Sequence, residues 1–306
     1  MRKATSAAAG LVLGFVLDRV FADPRRGHPV AGFGSAAVAL EKVTYADDRW
    51  AGVVHEVVAV GSVVGIAVIG ARGGVSATAL ATWTALGGRS LVRAGRSMAD
   101  RLDAGDIDGA RQLLPSLCGR DPSVLDADGL ARAALESIAE NTSDAAVAPL
   151  LWGAVAGVPG LLGYRAVNTL DAMIGYRNER YENFGWAAAR TDDIANLLPA
   201  RVTGLLTAGL APLVGGTPMS SVRAWRRDAA RHPSPNAGVV EASMAGALGI
   251  RLGGRTQYRH GTELRPTLGD GPTPGPADLR RAVRMSAAVQ VGALAVAAAI
   301  TVLRGR

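Results

Sequence analysis

Carboxylates, carboxamides and arginines concentrate in one central stretch of the chain, which runs from Glu136 to Arg201. Two polar clusters rich in Asn, Asp and Glu lie there on either side of a purely apolar segment, 147–162. Polar groups beside such an apolar run cost free energy unless they are solvated, paired or used in chemistry. The stretch therefore predicts an active site built at a membrane surface.

The first polar cluster lies on a predicted helix that runs through ARAALESIAENTSDA. Glu136, Glu140 and Asp144 follow one another at i, i+4 and i+8, which places them on one helix face. Three neighbouring like charges destabilise a helix unless a cation or a basic partner lies opposite. The row is either a solvated acidic face or a set of catalytic or cation-binding carboxylates, and its position before an apolar segment favours the second interpretation.

The second polar cluster begins with Asn168 and Asp171, which are spaced i, i+3 on a predicted helix. Asp192 and Asp193 then open the next helix, where their oxygens could bind a hard cation or Asp192 could simply cap the helix.

Between these two helices lies GYRNERYENFG, a predicted turn-rich loop that carries Arg177, Asn178 and Arg180. Arginines of this kind grip phosphate groups, but they are also typical of cytoplasmic anchors beside membrane helices. Both interpretations stay open for Arg177 and Arg180.

Composition favours an integral membrane protein. The 306 residues are 49% hydrophobic, with a net charge of +7 and a mean hydropathy of +0.19. The basic residues are nearly all arginines between apolar segments, without a nucleic-acid motif, so we expect no nucleic-acid partner. The single cysteine, Cys118, excludes an intramolecular disulfide framework and a cysteine-rich zinc site.

The hydropathy pattern predicts an all-α fold, a multi-pass integral membrane helical bundle that forms a single domain in the cell membrane. We expect amphipathic cytoplasmic helices over 89–144 and a polar loop over 256–284. The apolar segments are 4–21, 53–71, 75–88, 147–162, 197–214 and 287–303. The first resembles a signal peptide, but Asp18 and Arg19 interrupt its end, so a retained membrane helix is favoured.

The segment 147–162 is short for a full membrane span, since about 20 residues are needed. Gly157-Val158-Pro159-Gly160 is expected to break it into a re-entrant or protein-buried helix pair. A single crossing would place the two polar clusters on opposite membrane faces. A re-entrant pair would leave both on the cytoplasmic face, which is our prediction.

With these residues in view, the chain resembles the cobinamide or adenosylcobinamide-phosphate synthase family of cobalamin biosynthesis. The similar elements cover the chain nearly end to end: DR (18–19), DP (23–24), HP (28–29), GRDPSVLD, ESIAENTSDAAVAPL, YRAVNTLDAMIGYRNERYENFGWAAARTDDIANLLPAR, PNAGVVEASMAGALGIRLGG and RPTLGDG. The resemblance implies a multi-pass membrane enzyme that joins a corrin propionate of adenosylcobyric acid to 1-amino-2-propanol or its O-phosphate through an amide bond.

A carboxylate does not form an amide unaided, so the implied reaction calls for ATP as co-substrate and Mg²⁺ on its phosphates. The chain has no G-x-x-x-x-G-K-[ST] loop, so any nucleotide site is of another kind. The resemblance also implies corrinoid and aminopropanol (phosphate) substrates, contact with the lipid bilayer, and other late-pathway cobalamin enzymes as partners.

Residue chemistry and the matched motifs together nominate three sets of site residues. The catalytic set is Glu136, Glu140, Asp144 and His28. The substrate-binding set is Asn141, Thr142, Asn168, Asp171, Arg177, Asn178, Arg180, Asn236 and Glu241, and the metal set is Asp192 and Asp193. His28 or Glu140 could take the ammonium proton that must leave before the amine attacks.

Two other classes of protein are compatible with the same sequence. One is a corrinoid-binding or transporting membrane protein; transporters tend to show repeated halves with matching broken helices, whereas the polar clusters here occupy one unrepeated region. A soluble helical enzyme would bury the apolar helices as its core, and would be extracted without detergent.

Overall fold

The structure is a computed structural model that describes residues 2–24, 26–258 and 261–305. Within these residues the chain is almost entirely helical, with one antiparallel strand pair. The elements are α1 (Arg2–Phe21), α2 (Pro29–Thr44), α3 (Arg49–Gly70), α4 (Gly74–Ala85), α5 (Gly88–Asp103), α6 (Ile107–Leu113), α7 (Ala127–Thr142), α8 (Ala148–Ile174), α9 (Trp186–Leu210), α10 (Pro218–Asp228), α11 (Ala237–Leu248), β1 (Leu252–Tyr258), β2 (Gly261–Leu268) and α12 (Pro276–Arg304).

The chain divides into two compact units, and each unit combines segments that are far apart in sequence. Unit 1 comprises Met1–Gly87, Asp144–Asn196 and Ala293–Arg306. Unit 2 comprises Gly88–Ser143 and Leu197–Gly292. The prediction of a single synthase domain concerns the whole chain and stays a prediction.

In unit 1, α1 packs closely on α4 through small residues. A Cβ atom on Gly10 would come within 2.5 Å of Thr78 Cβ, and one on Gly14 within 2.4 Å of Thr82 Cβ. Small side chains at a helix interface let two backbones approach, which is how helices associate in lipid. The predicted segment 4–21 thus forms a packed helix of this unit.

The long helix α8 is bent back on itself at Gly157. The backbone there has φ 65° and ψ −151°, a conformation that glycine adopts far more readily than other residues. A Cβ atom on Gly160 would lie 2.6 Å from the carbonyl oxygen of Trp152, although an uninterrupted helix would separate those residues by about 12 Å. The predicted break is confirmed: the arms 148–156 and 158–174 form a helical hairpin.

In unit 2, α7 packs on α5, and α10 packs on α11. One face of α5 is buried, with Leu91, Met98 and Leu102 pointing inward, as predicted for an amphipathic helix. The 3₁₀ turn after α10 and the start of α11 flank a short connection that contains His232 and Asn236.

The polar loop predicted over 256–284 is partly wrong, because β1 and β2 form an antiparallel hairpin with Leu252 opposite Leu268. The register shifts between Leu252 and Gly254, and Gly253 has φ 78° at this irregularity. A Cβ atom on Gly253 would lie 2.0 Å from the Pro266 carbonyl oxygen, so only glycine fits. Glycine and proline in a strand mark such bulges, which makes the segment look like a loop in sequence.

Four helical stretches of the described residues are long and apolar enough to cross a membrane: Arg49–Asp103, Ala127–Ile174, Trp186–Val214 and Pro276–Arg304. They contain five of the six predicted apolar segments. Large apolar side chains on α3 and α9, such as Ile66 and Leu205, are exposed, as expected for helices that face lipid. The structure confirms the predicted all-α membrane fold.

The acidic row does not lie on one continuous α-helical face. The α-helix ends at Thr142, and Asp144 lies in a π-helical turn, Ser143–Val147. The wider π-helical turn changes the direction in which the Asp144 side chain leaves the helix axis, relative to Glu136 and Glu140. The boundary between the units falls at the same place in the chain, so Glu136 and Glu140 belong to unit 2 and Asp144 belongs to unit 1.

Candidate active site

Ionisable side chains of unit 2 gather around α7, where the sequence shows an acidic row but not which basic partners lie opposite it. We call them the charged cluster: Arg120, Glu136, Glu140, His232, Glu241 and Arg265. They come from α7, α11, β2 and two connections, so the hairpin and the turn before α11 are needed to bring them together.

Glu136 is a buried anion with a buried cationic partner. Its carboxylate pairs with Arg120, and both side chains are at most 5% exposed. Glu136 Oε1 also accepts a hydrogen bond from Gly253 N at 2.8 Å, which the bulge in β1 makes available. The solvated acidic face is therefore the wrong interpretation for Glu136, because a buried carboxylate must be paired.

Arg132, one turn before Glu136 on α7, holds the same bulge in place. Its Nη1 donates to Gly253 O at 2.9 Å and its Nη2 donates to Arg255 O at 2.7 Å. The hairpin is thereby fixed to α7, and Glu136 is held at a defined position.

Glu140 differs from Glu136 because its surface is exposed, although burial by the surrounding protein still raises the pKa of its carboxyl group. Arg265 and Arg120 nevertheless lie close enough to act on its charge. An accessible carboxylate beside Arg265 can contact a ligand while that guanidinium group binds the ligand's anionic part. This arrangement favours the functional interpretation of Glu140.

Glu241 is a buried carboxyl group on α11, with 2% of its surface exposed. Burial raises its pKa to about 7, and the nearby charge of Glu140 adds to this effect while Arg265 and Arg120 oppose it. A carboxyl group with a pKa near neutrality can exchange protons at physiological pH, as a general base requires. Sequence analysis had placed Glu241 among the substrate-binding residues only.

His232 lies beside Glu241 but stays uncharged. Its Nε2 is 2.8 Å from an Arg265 nitrogen and 3.7 Å from Glu241 Oε1. Because a guanidinium only donates, Nε2 accepts, which assigns the proton of the neutral ring to Nδ1. Nδ1 lies 3.2 Å from Ser234 O, which can accept that proton, and 3.0 Å from Ser234 N. Burial, together with the charge of Arg265, lowers the pKa of His232 to about 4. His232 therefore orients Arg265 without adding charge.

Unit 1 contains a second polar site, which we call the amide network. Two carboxamides donate to one carboxylate: Asn168 Nδ2 to Asp192 Oδ1 at 3.2 Å, and Asn196 Nδ2 to Asp192 Oδ2 at 2.9 Å. Tyr164 Oη donates to Asn196 Oδ1 at 2.8 Å, and Arg165 Nη1 lies 3.4 Å from Asn168 Oδ1. Helix α9 begins at Trp186, so the interpretation of Asp192 as a helix cap is wrong.

The predicted loop residues of unit 1 mostly hold the loop itself. Arg180 pairs with Glu41 at 2.7 Å and lies over the Tyr45 ring, which commits the guanidinium to a protein contact. Asn178 Oδ1 accepts from the backbone of Arg180 and Tyr181 in the predicted turns. Arg177 is exposed.

Two predicted residues of unit 1 lie at helix ends or in ion pairs. His28 Nδ1 caps α2 by accepting from Val30 N at 3.1 Å, while its Nε2 lies 3.4 Å from Asp23. Asp193 lies 3.4 Å from Arg190, one turn away on the same helix. Their predicted catalytic and metal-binding roles stay predictions.

The remaining predicted residues lie in different settings. Asp144 and Asp171 are half-buried in unit 1, and the carbonyl oxygen of Asp144 lies 3.3 Å from Tyr164 Oη. In unit 2, Asn141 donates to Ser137 O at 2.9 Å, and Asn236 Oδ1 accepts from Arg201 at 2.8 Å.

Thr142 is fully buried between α7 and α12. Its Oγ1 donates to Ile138 O and lies 2.6 Å from Ser286 Oγ. These contacts satisfy the hydroxyl inside the protein, which favours a packing role over the predicted contact with substrate.

The site residues nominated from the sequence do not include Arg120, His232, Arg265, Tyr164 and Asn196. All of these except His232 lie inside quoted motifs, but no local spacing connects Arg120 or Arg265 to the carboxylates. Across the described residues, no three His, Cys, Asp or Glu side chains converge as a metal site would require. The protein groups seen here would thus supply few ligands to a cation.

Comparisons with known proteins identify the family. The family model described as CobD/Cbib protein matches residues 11–286. The chain is 61% identical to a cobalamin biosynthesis protein CobD of Mycobacterium tuberculosis, over 98% of this chain and 97% of that protein. Proteins of the same name from Geobacter metallireducens and Rhodobacter capsulatus are 45% and 42% identical, covering 87% and 97% of this chain and 87% and 98% of theirs.

A search of the solved structures found no match. The family model spans most of the chain, and relatives far above 30% identity are covered almost completely. The chain therefore belongs to the CobD/Cbib family and has a role in cobalamin biosynthesis.

Proposed function

We propose that the protein is an amide-forming acid–amine ligase of cobalamin biosynthesis. Its substrates would be adenosylcobyric acid, which supplies a propionate carboxylate, and 1-amino-2-propanol or its O-phosphate, which supplies the amine. The product would be adenosylcobinamide or its phosphate. The observation that carries the proposal is Glu241, a buried carboxyl group with a pKa of about 7 beside the guanidinium group of Arg265.

The reaction needs an activated carboxylate, because the oxygen that leaves must become a good leaving group. In the proposed sequence, a propionate oxygen attacks the γ-phosphorus of ATP and ADP departs. The amine nitrogen then attacks the acyl carbon, the C–O bond breaks, and inorganic phosphate leaves. The amine must first lose its ammonium proton, which a base near neutral pKa can accept.

The charged cluster contains a group for each of these tasks. Glu241 would accept the ammonium proton, since it is ionised in an appreciable fraction of molecules at neutral pH. Arg265, which is half-buried, would hold anionic oxygens of the phosphate groups, which suits the forked geometry of a guanidinium, while Arg120 stays paired with Glu136. His232 would keep Arg265 in place as a neutral acceptor.

The carboxylate oxygens available also fit Mg²⁺ in principle. Magnesium usually keeps several waters and is bound by one or two carboxylates together with substrate phosphates. In the charged cluster the exposed Glu140 could be such a ligand, and in unit 1 Asp192 is the better candidate of the predicted pair, because its carboxylate is fixed by two carboxamides. When bound, the ion would neutralise charge on the phosphates.

The amide network is proposed to bind the corrin periphery, which carries carboxamide groups. Asn168 and Asn196 offer both donors and acceptors of matching chemistry. Tyr164 and Asp192 hold them in a fixed orientation.

The proposed location is the cell membrane, with several spans and the polar clusters on the cytoplasmic face, where ATP is found. The hairpin in α8 supports this arrangement because its two arms return to one end. Cysteine labelling at Glu140, which is exposed, and at Asn183, on a Cys118→Ser background, tests it. Labelling of the two sites from opposite faces would contradict a shared face.

A corrinoid-binding or transporting protein without ligase activity remains the second candidate, and the broken helix α8 is the observation that favours it, because transporters use broken helices. A transporter would move the corrinoid without changing its mass.

Contact with other late-pathway cobalamin enzymes is also proposed.

The test uses purified protein in lipid nanodiscs with adenosylcobyric acid, the amine, ATP and Mg²⁺. We expect the amide by mass spectrometry, in an amount equal to the ADP formed. Labelling the propionate with ¹⁸O should transfer one ¹⁸O atom to each phosphate released. Corrinoid binding without product, or product without ¹⁸O in phosphate, would contradict the proposed reaction.

A further inference from the structure

A cavity of unit 2 lies beside α10, and only His232 of its wall takes part in the proposed chemistry. It has a volume of about 400 Å³, and we call it the α10 pocket. Its wall includes Arg201, Trp225, Arg226, His232, Pro235 and Val239. Two arginines thus face a space whose other walls are an aromatic ring and apolar or neutral groups.

Neither arginine is neutralised by a carboxylate of the described residues. Arg201 Nη1 donates to Leu197 O at 3.1 Å and to Asn236 Oδ1 at 2.8 Å, and both acceptors are uncharged. Neighbouring arginines behave differently, because Arg227 and Arg231 both pair with Asp228. The α10 pocket therefore has a net positive charge that a bound anion would balance.

Arg201 also lies in an unusual place for a cation. Leu198, Arg201 and Leu205 are spaced i, i+3 and i+7 on α9, so they share one helix face, and both leucines are 61% exposed. That helix belongs to Trp186–Val214, one of the stretches apolar enough to cross a membrane. A cation in a lipid-facing stripe is costly unless it reaches the interface or meets an anion.

Trp225 and the arginines of α10 are typical of the membrane interface. Tryptophan is enriched at the level of lipid headgroups, and basic amphipathic helices are attracted to anionic lipids. Apolar side chains beside a positively charged pocket match a molecule with a phosphate head and acyl chains, whereas a soluble phosphate compound gains nothing from exposed leucines.

We propose that the α10 pocket binds the phosphate headgroup of an anionic phospholipid. Arg201 and Arg226 contact the phosphate, Trp225 lies beside the headgroup, and Leu198 and Leu205 contact an acyl chain. His232 lines the same pocket and belongs to the charged cluster, so the lipid occupies a site next to the proposed chemistry.

The test is native mass spectrometry of the full chain released from nanodiscs that contain equal amounts of phosphatidylglycerol and phosphatidylcholine. Wild type should retain one phosphatidylglycerol. Arg226→Gln should lower that retention roughly fivefold, and Arg226→Lys should keep most of it. The matched control is Arg223→Gln, because Arg223 is exposed on the same helix but does not line the pocket.

Two results would overturn the proposal. Equal lipid retention by Arg226→Gln, Arg223→Gln and wild type would show that the pocket does not select the headgroup. In a second arm, inorganic phosphate and aminopropanol phosphate are titrated against the bound lipid. Displacement at millimolar concentration, with Arg226→Gln weakening those compounds and not the lipid, would assign the pocket to a soluble phosphate instead. No displacement supports the lipid.

Discussion

The two polar sites of the molecule are built from different chemistry. In unit 2, the charged cluster combines three carboxylates with two guanidinium groups and a neutral histidine. In unit 1, the amide network centres on one carboxylate, Asp192, to which two carboxamides donate. The first site can move protons and bind phosphate, while the second can hold a ligand by directional hydrogen bonds.

Burial accounts for much of this difference. Glu136 and Glu241 are nearly inaccessible to solvent. The negative charge of Glu136 is balanced by Arg120, whereas the charge of Glu241 depends on whether its carboxyl group is protonated. Asp192 is half-buried, and two neutral carboxamides donate to its oxygens. Removing a charge should therefore have large effects in unit 2 and modest effects in unit 1.

The largest expected effect is on stability and comes from Glu136→Gln. The change leaves Arg120 buried without its paired carboxylate, which should lower the free energy of unfolding by about 3–5 kcal/mol. Thermal unfolding in detergent measures it. The matched control is Asp106→Asn, which removes the ion pair between half-exposed Arg101 and Asp106 and should cost under about 1 kcal/mol. Equal shifts would contradict the contrast between buried and exposed pairs.

Next in size is the loss of activity in Glu140→Gln. Because the side chain is exposed, the variant should reach normal membrane levels, yet amide synthesis should fall roughly 10²-fold or more. Asp108→Asn, at another exposed carboxylate of unit 2, serves as the control and should keep normal turnover. Near-normal turnover of Glu140→Gln would return this residue to a solvated surface role.

A smaller effect is expected in unit 1 from Asp192→Asn. Losing the charged acceptor of Asn168 and Asn196 should raise the KM for the corrinoid roughly tenfold, with kcat little changed. Asp193→Asn is the control, since Asp193 pairs with Arg190 instead. A fall in kcat with unchanged KM for Asp192→Asn would show that the amide network takes part in the chemistry or in holding a catalytic cation.

The smallest predicted effect concerns the hairpin in α8. Gly157→Ala places a side chain at φ 65° and should destabilise the protein by roughly 1 kcal/mol. Gly209→Ala is matched to it, because Gly209 lies inside α9 with open space around its Cα, where alanine favours the helix. Thermal unfolding should thus shift in opposite directions, and a stabilising Gly157→Ala would contradict the bend.

The sequence predicted the helical elements well because a long apolar run in a membrane protein forms a helix. Five of the apolar segments fall within membrane-grade helices, and the break at Gly157 follows from glycine and proline in an apolar run. The β-hairpin over 252–268 was missed because glycine and proline at its bulge are equally typical of a loop.

The site was predicted less completely, since its members meet through tertiary structure. Glu140 and Glu241 could be chosen from residue type and motif, but Arg120 and Arg265 are separated from them by long stretches of chain. The π-helical turn at 143–147 moved Asp144 off the regular helix, and no pattern in the sequence indicated it. Burial in the tertiary structure is the reason why Glu136 is paired with Arg120 and why the pKa of Glu241 is raised.

The pH dependence of amide synthesis tests the central claim, that Glu241 is the base of the charged cluster, most directly. Since the pKa of Glu241 is raised to about 7, it is protonated and inactive below that pH, and the wild-type rate should rise with pH up to about 7 and then level off. Glu241→Gln should lower the rate and remove this inflection. A wild-type profile that is flat from about pH 6 to 8, or an inflection that persists in Glu241→Gln, would contradict the account.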